Sequence, residues 1–284
     1  MAGEMSLTEI SATSKALISS VVQETLKQEM VLLPTIMDMS SQVLPGAKSV
    51  DFPRRGEFAA ESKAENTAYT KQVITFAADS LLLNKHEGVF VSIEKIGSLQ
   101  SAVDVRAEVI KEMGKELSLQ LDKDLLVQIK LASAAAPDHR VQFANTPTDT
   151  IQQTDLLEAR RLLNVAKVPM ADRTLLVPPD QEKALLSIAD FVRADTYAAS
   201  VPALQNGELG RLYGMTVIMH TELVAAEFLV YHKSHVAFAR QLDLVFDTDK
   251  DLENSAELML MEQIYGTKVL DSGKRAVWFN ATGA

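Results

Sequence analysis

The chain has 284 residues, no cysteine, 47% hydrophobic and 23% charged residues, and a formal net charge of −10. That length is ample for one large core or two modest ones. The lack of cysteine excludes disulfides and thiol catalysis, and leaves metal binding to histidine and carboxylates. The acidity omits the basic footprint that tight wrapping of nucleic acid requires, yet suits a wall that contains nucleic acid without adhering to it.

No apolar run approaches the length needed to span a bilayer. The N-terminus, MAGEMSLTEISATSK, lacks the basic-then-apolar layout of a signal peptide. Both features lead to an expectation of cytoplasmic origin with no membrane partner.

In residues 1–44 the apolar set Leu17, Ile18, Val21, Val22, Leu26, Met30 and Leu33 repeats every three or four positions, which predicts an amphipathic helix. Pro34 and Leu44-Pro45-Gly46 close it. Such a stretch is either a first core helix or an arm lying on a neighbouring subunit. From 47 to 96 the character is β. KQVITFAA (71–78) and GVFVSI (88–93) alternate, and the turn composition of 84–88 predicts a hairpin between them. ESKAENTAYT (61–70) is almost free of large apolar residues and is expected at an exposed loop tip.

Ile110, Met113, Leu117, Leu121, Leu125 and Ile129 then step along one face, with Lys111, Glu112, Lys115, Glu116, Asp122 and Lys123 over much of the rest. Ser101 and Asp104 resemble a capping start and Pro137 a stop. A helix over 101–135 would be roughly 50 Å long at 1.5 Å per residue, a strut rather than an ordinary helix. Two helices broken near Gly114 are the alternative.

The segment 145–225 reads as α/β. It holds a helix over 150–166 displaying Arg160 and Arg161, a buried strand RTLLV (173–177), and a helix with Pro179 at its first position. An irregular stretch over 190–206 precedes NGELGRLYGMTVIM (206–219). Gly207, Gly210 and Gly214 stand ahead of a strand there, the reverse of a phosphate loop, which follows a strand and opens a helix. These glycines therefore read as turn formers with φ > 0. Beyond Phe228, HVAFARQLDLVFD (235–247) alternates as strand. A helix or strand follows over 255–264, and the strands KVL and AVWF flank the turn Asp271–Lys274.

Chemistry is scarce. His86, His139, His220, His232 and His235 are scattered, and the i, i+3 pair His232 and His235 would face opposite sides of a strand. Asp247, Asp249 and Asp251 copy the start of a calcium loop, but position six is Leu252 and position twelve Leu258, so a solvated acidic turn is expected. No nucleophile elbow, zinc helix or Walker loop is present. The expectation is no catalytic, cofactor or metal residue, and no enzyme.

RTLLVPPDQEKALLSIADFVRAD followed by NGELGRLYGMTVIMHTEL, with YGTKVLDSGKRAVWF near the end, resembles the major capsid protein of tailed bacteriophages, the Hong Kong 97-like fold. The resemblance implies an α+β architecture with an N-arm (1–45) and an extended β-hairpin or E-loop (46–96). It also implies a P-domain with a spine helix and long strands (97–136 and 228–264) and an α/β A-domain (137–227 and 265–284). Gly207, Gly210 and Gly214 would shape the turn into an A-domain strand, and Ile110 to Ile129 would be the packing face of the spine helix. The implied function is a structural subunit that self-assembles into pentamers and hexamers of an icosahedral head enclosing double-stranded DNA. The head would form in the host cytoplasm, with a separate scaffolding protein and a portal. Lys63, Lys71 and Lys85 would make ordinary ionic contacts. An encapsulin-type shell and an α/β metabolic enzyme are the alternatives.

Overall fold

The computed structural model describes residues 30–56, 58–94, 105–135, 138–146, 148–187 and 210–282. Residues 1–29 of the helical reading of 1–44, the Ser101/Asp104 cap, Pro137, the stretch 190–206 and Gly207 lie outside them; the described part of that reading, 30–44, is not an α-helix but two 3-10 turns (Leu33–Thr35 and Ser40–Gln42) on either side of a short strand. In chain order the strands are β1 (Met37–Asp38), β2 (Ser49–Arg55), β3 (Phe76–Leu82) and β4 (Lys85–Glu94), followed by helix α1 (Val105–Ile129). Next come β5 (Arg140–Gln142), α2 (Gln153–Val165), β6 (Arg173–Val177), α3 (Pro179–Leu186), β7 (Arg211–Leu212) and β8 (Met215–Met219). The chain closes with β9 (Glu227–His232), β10 (Val236–Asp251), β11 (Ala256–Val269) and β12 (Ala276–Asn280). They form a four-stranded sheet β1-β10-β11-β4, a six-stranded sheet β5-β12-β9-β6-β8-β7 and the two-stranded β2-β3.

The six-stranded sheet is a partition with a core on each face. Side chains alternate across a strand, so Leu175 and Val177, Phe228 and Val230, and Val277 and Phe279 enter one core, while Leu176, Leu229, Tyr231 and Ala276 enter the other. This double burial is why RTLLV reads as a continuous apolar run instead of an alternating one. On the first side α2 and α3 cover the sheet, and Phe228 stacks on Phe279 at 4.3 Å with Phe143 edge-on to both.

Helix α1 links the two sheets. Met113 and Leu117 pack on Met259 and Met261 of the long sheet, with Val89, Val91 and Ile93 of β4 beside them. One turn further, Leu121, Leu125, Leu126 and Ile129 enter the second core of the partition, beside Phe238, Tyr265 and the incoming residues Leu32 and Ile36. The helix runs unbroken through Gly114. Its 25 described residues span roughly 37 Å at 1.5 Å per residue, and it ends at Ile129, six residues before the end expected at 135.

Two expectations about pairing are corrected. The strand containing 88–93 does not form a hairpin with 71–78; β4 pairs antiparallel with β11 from Ala256↔Glu94 to Tyr265↔Lys85, and β3 pairs with β2. Alternation fixed which face of β4 is apolar but not its partner, and β11 offers a longer apolar ladder than the short segment before residue 84. Similarly β9 belongs to the six-stranded sheet through β12 and β6, not to the long strands. The segment 255–264 is strand, and Asp247, Asp249 and Asp251 lie in β10 instead of a turn, with residues 252–255 forming the tip.

β10 carries two extra residues relative to β11, at the register shifts Arg240/Leu242 and Leu242/Val245. Its first residues are buried in the body, and beyond the shifts it projects with β11 and β4 as a long hairpin.

Candidate assembly surfaces

Among the described residues the β2–β3 hairpin is anchored at its base alone. Leu81 and Val50 pack on Ala237 and Ala239 of β10, and Arg54 pairs with Asp271 at 2.8 Å. Gly266 makes that contact possible, since a Cβ there would lie 2.1 Å from the Leu82 carbonyl oxygen. Beyond Gly56, whose N–H donates to Thr75 O, the two arms continue held by side chains. Ala59 N–H donates to Gln72 Oε1 (3.0 Å), and Thr70 donates from N–H and hydroxyl to the Glu61 carboxylate (both 3.0 Å). Asn66, with φ +61, makes the turn, and Lys63 stacks its ammonium over Tyr69. From Arg55 to this turn the arm reaches at most roughly 36 Å at about 3.3 Å per residue.

This arm exposes Val73 (83%), Phe76 (69%), Ile74 (54%), Tyr69 and Phe58. Val73, Ile74 and Phe76, exposed beside one another, mark an interaction surface rather than a solvated loop. Lys85, by contrast, is on β4 and is bound within the chain to Asp124, which also accepts the Tyr265 hydroxyl at 2.7 Å. Burial and the Asp124 carboxylate hold that phenol well above its usual pKa, so it remains a donor.

The second is the segment Met30–Asp38, which is bound into the body. Leu32 and Ile36 are wholly buried, Thr35 Oγ1 shares a 2.6 Å hydrogen bond with Tyr231 OH, and β1 pairs parallel with β10. The third is the β10–β11 tip, where Asp251 Oδ1 accepts the N–H groups of Glu253 and Asn254.

Of the residues singled out in the sequence, Met113, Leu117, Leu121, Leu125 and Ile129 are buried on α1, and Ile110 is half-buried beside Met113. They are brought together as one face, divided between two cores. Gly210 (φ +45) and Gly214 (φ +83) bracket β7; Tyr213 and Gly214 both take positive φ, which makes a type I′ turn from β7 into β8. Sequence reasoning missed the exposed apolar arm, because Val73, Ile74 and Phe76 looked like ordinary strand. It also missed Gly266, Gly273 and the buried Asp122–His220 pair, whose Oδ2···Nε2 distance is 2.8 Å.

Burial holds His235 neutral, its pKa lowered to about 4 against the weaker opposing effect of the Ile129 carbonyl that accepts from Nε2. Among the described residues no three His, Asp or Glu side chains gather as a metal-holding group, and no helix is long and apolar enough to cross a membrane.

A family model described as phage capsid protein matches residues 107–277. No curated protein sequence matches the chain. Among solved structures, the fold is similar to a chain of Mycobacterium phage Che8, at 17% identity, 96% of this chain, 98% of that one and a TM-score of 0.79. It is also similar to a chain of the cyanophage Pam1 capsid asymmetric unit (14%, 100% of each chain, TM-score 0.78). A third is in the capsid structure of cyanophage P-SCSP1u (17%, 97% and 95%, TM-score 0.77). At these identities the likeness is one of fold. Since the family match takes in more than half of the residues and the shared fold nearly all of them, the chain belongs to the phage capsid protein family.

Proposed function

We propose that this subunit closes into an icosahedral head of pentamers and hexamers around double-stranded DNA, its hairpin arm and N-terminal segment each covering a neighbouring copy. Family membership makes the chain a structural, non-enzymatic protein, the major subunit of a phage head, located in the virion capsid. The finer reading assigns the four-stranded sheet and α1 to a peripheral domain and the six-stranded sheet with α2 and α3 to an axial domain. It places assembly in the host cytoplasm, with a scaffolding protein and a portal as further partners. The net charge of −10 supports an enclosure for DNA that holds it without sequence-specific binding.

The observation that carries this reading is the arm. Val73, Ile74 and Phe76 together expose a surface whose burial is worth on the order of 5 kcal/mol, and none of the described residues of their own subunit covers them. Many such modest contacts, repeated around a closed assembly, give a stable shell. The test is negative-stain electron microscopy of the purified chain beside a sizing column, with a Val73→Asp/Phe76→Ser variant in parallel. Wild type should give rings or closed shells, and the variant should stay folded and small. A wild-type monomer or dimer that remains small in high salt and crowding agents would overturn the reading.

A further inference from the structure

The turn between β11 and β12 is strained. Asp271, Ser272 and Gly273 take φ of +54, +53 and +78, three successive residues in the left-handed region. For the first two, which carry a Cβ, that conformation is unfavourable. Such strain persists only where the surroundings over-determine it, and here they do. Gly273 lies so close to the end of α1 that a Cβ would stand 2.3 Å from Leu131 O, and its carbonyl accepts the Ser133 N–H at 3.0 Å. Gly273 N–H donates to Leu270 O and Lys274 N–H to Asp271 O, both at 3.2 Å, while Leu270 N–H donates to His235 O at 2.9 Å. The turn is thereby fixed both to α1 and to the residue that precedes β10.

What this fixed turn presents is a carboxylate. Asp271 Oδ1 lies 2.8 Å from Arg54 Nη2 of β2, and its Oδ2 lies 3.6 Å from Arg275 Nε. Arg275 is held in its turn, Nη1 donating to Ser234 O at 3.2 Å and to Ser234 Oγ at 2.8 Å. One carboxylate therefore joins an arginine at the root of the arm to an arginine of the body. Alternation along β2 puts Val50, Phe52 and Arg54 on one face. Val50 packs with Ala237 and Ala239, and Phe52 and Leu270 pack against that same cluster. Arg54 is the last residue of this face before the chain passes Gly56 into the exposed arm.

The Arg54 and Asp271 side chains are 56% and 27% exposed, so their pairing adds little to stability. What it adds is direction. The apolar contacts act as a pivot, and a polar contact further along the strand stops rotation about it. Over an arm of at most roughly 36 Å, a tilt of about 10° carries the turn at Asn66 through about 6 Å.

We propose that Asp271 is a positioning residue for the hairpin arm. Held by the strained turn, it fixes through Arg54 the angle at which the arm leaves the body, so that Val73, Ile74 and Phe76 meet a second copy of the chain in one orientation. The inference rests on the shell-subunit reading for its assembly half; the bracket itself is testable without it.

The chain has no cysteine, so spin labels at Ala64→Cys in the arm and Lys183→Cys on α3, both exposed positions, report the arm's placement alone. Pulsed electron spin resonance on the folded, unassembled full chain should give one narrow distance distribution. Asp271→Asn keeps the shape, and asparagine tolerates the left-handed region, so the variant removes the charge alone. It and Arg54→Gln should widen the distribution by about 5 Å or more, the sweep of a tilt of roughly 10°, with unfolding midpoints near wild type. Arg54→Lys should keep most of the narrow width. Arg161→Gln, which breaks the exposed pair with Glu158 on α2, should leave it unchanged. In microscopy the two widened variants should give open or irregular shells where wild type closes. A broad wild-type distribution overturns the proposal, and so does an unchanged width in both Asp271→Asn and Arg54→Gln. Widened variants that close shells like wild type overturn its assembly half. Should Asp271→Asn fail to fold, Arg54→Gln decides from the side of the arm. Wild type forming no shell in any condition defeats the assembly reading, while the widths judge the bracket separately.

Discussion

Replacing Gly266 by alanine tests how the hairpin arm is held. The new methyl would stand 2.1 Å from Leu82 O and 2.9 Å from Leu81 Cδ2. Comfortable C···O contacts between strands are about 3.3–3.6 Å, so the exit of β3 must move away from β11 by more than about 1 Å. Moving it lifts Leu81, which is fully buried, off Ala237 and Ala239. Overpacking of this kind costs about 1–3 kcal/mol, and partial exposure of a leucine adds about 1 kcal/mol. The entropy gain of alanine over glycine in a strand returns about 0.5–1 kcal/mol. The net expectation is a loss of about 2–3 kcal/mol. Denaturant melts would read the loss, and proteolysis near Lys63 and Lys71 would show the arm loosened first. Gly88→Ala is the control in the same sheet: its Cβ meets Glu262 Cβ at 3.5 Å, ordinary contact, so the variant should be at least as stable as wild type, gaining up to about 0.5–1 kcal/mol. Equal midpoints for Gly266→Ala and Gly88→Ala, with unchanged cleavage, would refute the reasoning.

Gly273→Ala combines φ +78 with a Cβ 2.3 Å from Leu131 O, whereas Gly214→Ala at φ +83 meets nothing within 4 Å. The first should cost about 3 kcal/mol or more and the second about 1–2 kcal/mol, compared by urea titration. Leu125→Ala, at the centre of the α1 face, should cost about 2–5 kcal/mol, and Ile110→Ala, half-buried, clearly less; equal losses would contradict the burial pattern. His235, with its folded pKa lowered to about 4, stays neutral where the unfolded chain takes up a proton near pH 6.5. Stability is therefore full above about pH 6.5 and falls as pH drops toward 4, by roughly 3 kcal/mol from this group. His232, lowered mainly by burial and then by Arg275, acts in the same direction. Urea midpoints between pH 7 and 4.5 check this, and His235→Gln should flatten the slope.

Local elements were legible wherever pattern and punctuation agreed. RTLLV and MTVIM occupy the strands expected, and Pro179 opens α3 because its missing N–H costs nothing at the first helical position. Pairing was not legible. The alternation of Val89, Val91 and Ile93 shows which face of β4 is buried, but a strand pattern carries no address for its partner, and a partner some 170 positions later won over the adjacent run. The assembly surface was hidden for a related reason: Val73, Ile74 and Phe76 have the composition of a covered strand, and only the geometry shows them exposed among the described residues. Asp122 was grouped with the solvated charges of its helix because its offset from Leu121 places it at the edge of the apolar face, where one contact with another element decides burial.

The two extra residues in β10 between Arg240 and Val245 also have a consequence for curvature. Each bulge bends and twists its strand locally, so the inclination of the projecting hairpin relative to the partition sheet is set over a few residues. The tip at Asp251 stands about 20 Å beyond, at about 3.3 Å per residue. A tilt of about 5° at the bulges therefore sweeps the tip through almost 2 Å, a little over a third of the spacing of neighbouring strands. The radius of a closed shell follows from the angle at which subunits meet. In this chain the two shifts place a short irregular stretch between the buried and the projecting parts of β10, where such a change of inclination can be taken up.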